Sequence, residues 1–98
     1  MHARFTALAR AEFLAEISYY DNLRTGLGAR FQAAVEDAAA RAAASPRSGA
    51  SVAGVARRWL LSGFPFRLVY TETADGILVH ALAHNRRRPS HWIERLDP

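Results

Sequence analysis

The chain has 98 residues, half of them apolar, enough for one modest core and too few for two. No apolar run approaches the roughly 20 residues of a membrane span and MHARFTALAR has no signal-peptide core, so we expect a single domain over residues 1–98, cytoplasmic and without a membrane partner. The absence of cysteine excludes disulfides and thiolate metal sites, and because all 13 basic residues are arginine, with a formal charge of +4, no lysine is available as Schiff base or general base.

Residues 2–6 alternate weakly and read as a short first strand. From residue 7 to 24 the period changes: Phe13, Leu14, Ile17 and Tyr20 recur at three- and four-residue spacing, as an amphipathic helix requires. Gly26 and Gly28 interrupt the pattern and predict a tight corner between two helices. Leu27, Phe31, Val35, Ala38 and Ala42 then form a stripe on a second, alanine-rich helix ending near Ala44, where Ser45-Pro46 pushes the chain out of the α region.

Residues 46–54 read as a loop, and three strands follow. The first, 55–61, has Arg57 and Trp59 on one side and Arg58 and Leu60 on the other. The second, 64–71, sets Phe66, Leu68 and Tyr70 against Arg67 and Val69. The third, 77–83, is apolar apart from His80, and Asp75-Gly76 before it is a hairpin turn, since both residues tolerate positive φ. The order β-α-α-β-β-β, closed by a final helical turn, predicts an α+β fold with an N-terminal helical hairpin packed on one face of a small antiparallel sheet.

Charge is uneven along this plan. Through residue 56 six arginines face five carboxylates, whereas beyond it seven face four, so an acidic ligand is drawn to the C-terminal half. Arg86, Arg87 and Arg88 repel one another and are tolerable only in water or beside an anion. Arg67 sits mid-strand among apolar residues, on the face away from Phe66, Leu68 and Tyr70. Such a charge needs either an exposed functional setting or a structural ion pair to Glu72 or Glu94. Arg58 is able to join it from the neighbouring strand, while Trp59 reads as a core cap. His80 and His84 are about 13 Å apart along a strand, too far to share one ion, and no metal site is expected. No G-x-S-x-G elbow or paired-carboxylate arrangement is present.

FPFRLVY from Phe64, the Asp-Gly turn, ILVHALAH and NRRRPSHW together resemble the RelE/ParE family of bacterial type II toxins, also called plasmid-stabilisation toxins. A-x-F-L-x-x-I-x-Y-Y from Ala11 to Tyr20, then GLGARFQAAV and SPRSG, agree more loosely. The most specific part is His84, Arg86, Arg87 and Pro89, ending in Trp92 and Arg95. The resemblance implies the β-α-α-β-β-β fold, growth inhibition, no cofactor, and silencing by a cognate antitoxin in a hetero-oligomer.

The family divides by mechanism: RelE-like members cut messenger RNA on the ribosome, and ParE-like members poison DNA gyrase. Arg67 and Arg86 match two arginine positions of the ribosomal members, and Arg58 falls where a basic residue is expected. Leu60 and Trp92 depart, standing where a further basic residue and a tyrosine are common; an indole N–H is no general acid. Action on gyrase is therefore favoured, with Arg58, Arg86, Arg87, Arg88 and Trp92 as the contact surface. The alternative is a metal-independent endoribonuclease acting on ribosome-bound mRNA. In it Arg67 and Arg86 offset phosphate charge while His84 moves the 2′-hydroxyl proton. A third reading is a non-toxic interaction module that keeps only the fold.

Overall fold

The structure, a computed structural model, describes residues 2–86, 88 and 92–96. Strand β1 (His2–Phe5) leads through Thr6 into helix α1 (Ala7–Leu23), and the Thr6 hydroxyl caps it by accepting the Ala9 amide at 3.1 Å. Ala9, Phe13, Ile17 and Tyr20 face the core. Helix α2 (Leu27–Ala44) buries Phe31, Val35, Ala38, Ala39, Ala42 and Ala43, so its small side chains let the sheet approach closely. No helix among the described residues is long and apolar enough to cross a membrane.

The corner between the helices depends on Asp21. Its Oδ1 accepts the amides of Gly26 at 2.9 Å and Gly28 at 3.4 Å, doing for α2 what no cap residue of its own does. Gly26 takes φ of +91°, which favours glycine. Gly28 is required for a different reason: a Cβ there would lie 2.6 Å from the Ile17 carbonyl oxygen, against the backbone of α1.

After a 3-10 turn at Pro46–Ser48, the chain forms β2 (Ala50–Ala53), β3 (Ala56–Leu60), β4 (Phe66–Thr73) and β5 (Gly76–His84), in the spatial order β1-β5-β4-β3-β2. Two expectations are corrected here. The stretch read as a loop contains β2, a four-residue strand in an Ala/Ser/Gly-rich run where alternation is hard to see. It pairs antiparallel with β3 across the Gly54-Val55 turn. The sheet is mixed, because β1 runs parallel to β5, His2 opposite Gly76 and Phe5 opposite Val79. The antiparallel expectation holds for β2 through β5.

Two cores result. On the helix side Phe31, Val35, Leu68, Tyr70, Val79 and Leu82 pack together, with Tyr20 stacked on Phe31 at 5.0 Å between ring centroids. Tyr70 donates its hydroxyl to the Pro46 carbonyl at 2.7 Å, which ties β4 to the end of the helical layer. The second core lies on the other face, where Trp92 covers Ala56, Val69, Ala81 and Ala83 with help from Val52, Ala53 and Leu96. That face was expected to be open. The chain returns over it in a 3-10 turn at Ile93–Leu96, and the large apolar area of an indole is the reason it stays there.

Candidate functional site

The basic face is built from β3 and β4. Arg58 stands opposite Val69 and Leu60 opposite Arg67, so the two arginines are diagonal neighbours on the side away from the helices. Arg58 is exposed and Leu60 is 54% exposed, whereas only 7% of Arg67 reaches solvent. Burial, and next the positive charge of Arg58, disfavour the protonated form of Arg67. A guanidinium nevertheless stays charged in proteins, and Arg67 Nη1 donates to the His84 carbonyl at 3.1 Å. Glu72, one candidate partner for Arg67, is bridged by Arg47 at 3.2 Å. Arg67 therefore lies on the face expected of it but within the protein surface.

His84 is placed differently. It pairs with Phe66, and its imidazole meets the Phe66 ring at 5.2 Å between centroids on the helix side of the sheet. Its Nδ1 accepts the Arg86 amide at 3.1 Å. Arg67 and His84 thus touch through the histidine carbonyl, with the imidazole and the guanidinium on opposite faces. Arg86 and Arg88 are exposed beyond the strand; Arg87 lies outside the described residues. Trp92, expected as a contact residue, is 1% exposed and packs inward, so it supports the face from below instead of presenting itself to a target.

His80 occupies a β-bulge: Val69 pairs with Ala81 and Tyr70 with Val79, leaving His80 as the extra residue. The bulge turns its ring to the face of Thr71, whose Oγ1 lies 2.9 Å from Nε2, and burial pushes its pKa down. Among the described residues no three His, Asp or Glu side chains converge on a metal position.

Sequence reading missed Glu12. Its carboxylate takes both Nη atoms of Arg95, at 2.8 and 3.2 Å, and accepts the Leu82 amide at 3.2 Å. Arg95 also donates to the His80 carbonyl at 3.2 Å. Only about a fifth of either side chain is exposed. The partners are 83 residues apart, so no local pattern announces the pair.

These features define a small α+β protein whose basic sheet face is suited to contact with an anionic surface, with no exposed acid–base pair assembled on it among the described residues. A family model described as the ParE toxin of the type II toxin-antitoxin system, parDE, matches residues 3–89. Among solved structures, one titled "Chromosomal ParDE TA system from P. aeruginosa" is similar with a TM-score of 0.63 and 20% identity, covering 86% of this chain and 95% of that one. At that identity the likeness speaks for the fold. No curated protein matches. The chain belongs to the ParE toxin family of type II toxin-antitoxin systems.

Proposed function

We propose that this chain is a growth-inhibiting toxin that acts in the cytoplasm on DNA gyrase and is held silent by a cognate antitoxin. The observation that carries the choice of target is the separation of His84 from Arg67 across the sheet. Metal-independent RNA cleavage needs a proton acceptor within hydrogen-bond reach of the 2′-hydroxyl and cations on the same phosphate. Here the imidazole turns toward Phe66 while the buried guanidinium holds a backbone carbonyl. Trp92 stands where a titratable tyrosine would serve, and it is enclosed.

A contact toxin makes different demands. Exposed guanidinium groups on a rigid support meet carboxylates or phosphates in bidentate fashion and steer association through their field. Arg58, Arg86 and Arg88 are exposed. Arg67 and Trp92 hold the surface in shape from within the sheet.

The test runs two assays on the purified chain. Loss of supercoiling by purified gyrase is expected, with no cleavage of message in a translating extract. Codon-positioned cuts in ribosome-bound mRNA with supercoiling intact would transfer the chain to the ribonuclease reading.

A further inference from the structure

Helix α2 turns alanines toward α1 and β1 at a place where larger side chains would close the gap. Ala39 and Ala43 are buried there and Ala40 lies at the surface beside them, while Phe5 of β1 and Phe13 and Ile17 of α1 line the facing side. Methyl groups are too short to fill the space, and a cleft of about 540 Å3 stays open between the two helices and β1. That volume lies within the roughly 300–1,000 Å3 usual for small-molecule sites. Phe5 stacks on Phe13 at 5.7 Å between centroids with 22° between planes, which gives one wall a flat apolar surface. Leu14, 55% exposed at the rim, extends that surface outward.

Three polar side chains stand around this apolar floor: Arg10 from α1, and Gln32 and Glu36 from α2. Two of them serve each other, since Gln32 Nε2 donates to Glu36 Oε2 at 3.4 Å. The Arg10 guanidinium has no hydrogen bond or ion pair among the described residues. Helices joined by a tight corner run antiparallel, so Arg10 in the first turn of α1 lies toward the last turns of α2, and Gln32 lies toward Ile17. A free cation therefore marks one end of an apolar trough, with a carboxylate and an amide along the other wall.

We propose that the cleft between α1, α2 and β1 binds a small amphiphilic monocarboxylate, with its head group on Arg10 and its apolar chain laid along Phe13 and Ile17. From Arg10 to Ile17 the helix rises about 10 Å at roughly 1.5 Å per residue, the reach of an extended acid of about eight carbons. Burial of the chain against Phe13, Ile17, Ala39 and Ala43 supplies affinity, and the bidentate fork of Arg10 fixes its direction. Glu36 selects against a diacid, whose second carboxylate would come to lie beside it. The site is independent of the arginine face, because the helices and Arg58 are on opposite sides of the sheet.

The experiment titrates octanoate, octanol, hexanoate and octanedioate into the purified full chain by calorimetry, with amide shifts followed by NMR. Octanoate should bind, with shifts clustered at Phe13, Leu14, Ala39 and Ala40. Hexanoate, two methylenes shorter, should bind about tenfold more weakly, and octanedioate more weakly by at least about the same factor. Arg10 is exposed, so Arg10→Gln leaves the core alone; it should weaken octanoate by about fivefold, to the level of octanol, and leave octanol unchanged. Ala40→Phe, at an exposed position on α2, should fill the cleft and abolish binding of both. Equal affinity for octanoate and octanol, or octanoate binding that survives Arg10→Gln unchanged, overturns the proposal. A chain that is dimeric with or without octanoate and shows no shifts at these amides gives the cleft to a second copy and overturns it too.

Discussion

Removing the indole of Trp92 strips the second face of the sheet of its largest buried side chain. Trp92→Ala should cost about 3–5 kcal/mol, the range for aromatic deletions from cores, read as a shift in the urea midpoint. Trp92→Phe should cost far less. Among the described residues the indole Nε1 meets no acceptor, and a buried unmet donor carries a penalty of about 1–3 kcal/mol that phenylalanine does not. His80 makes a second prediction, of pH dependence. Its pKa is lowered by burial, so the unfolded chain binds the proton more readily than the folded one. Stability contributed here is complete above about pH 6.5, the unfolded value, and falls on acidification toward the folded value. His80→Gln, which keeps a polar partner for Thr71, should flatten urea midpoints measured from pH 7.5 down to pH 5; an unchanged slope would assign the dependence elsewhere.

At the scale of elements, the corner joining α1 and α2 shows how much of a turn is legible before folding. Two glycines near the end of an apolar period mark the corner, and Gly26 fulfils that local role. Gly28 answers to α1, whose Ile17 carbonyl leaves no room for a methyl group, and nothing near it in sequence says so. Gly28→Ala should therefore destabilise the chain by about 1–3 kcal/mol, as overpacking does, despite the higher helix propensity of alanine. Asp21→Ala should cost about 1 kcal/mol through the two amides it leaves unserved, seen as a lower thermal midpoint. The strand β2 escaped notice because alanine, serine and glycine give no alternation, and the parallel partner of β1 because pairing across 74 residues leaves no trace in a four-residue strand.

For the molecule as a whole, the formal charge of +4 is concentrated where the proposed target surface lies. Arg58 and Arg86 are exposed, so reversing them should spare the cores. The double variant Arg58→Glu, Arg86→Glu should slow association with gyrase by about tenfold at low salt, and the difference should shrink as salt screens the field. Stopped-flow association rates, taken beside an unchanged melting temperature, check this; equal rates at low salt would remove these two side chains from the contact surface.

Helix period, strand alternation and turn chemistry are set by neighbours within a few residues, so the sequence by itself determined the helical hairpin, the two faces of β4 and the family. The last hairpin turn was misplaced by one residue: it falls on Ala74 and Asp75, with Gly76 opening β5 opposite Thr73 and Asp75 taking no positive φ. Tertiary structure alone decided that Trp92 closes the face beside Arg67, that His84 turns to the helix side while a bulge sends His80 to the other, and that Glu12 holds Arg95. Each of those depends on where the chain comes back to itself after tens of residues, and on which apolar surface is left for it to cover when it does.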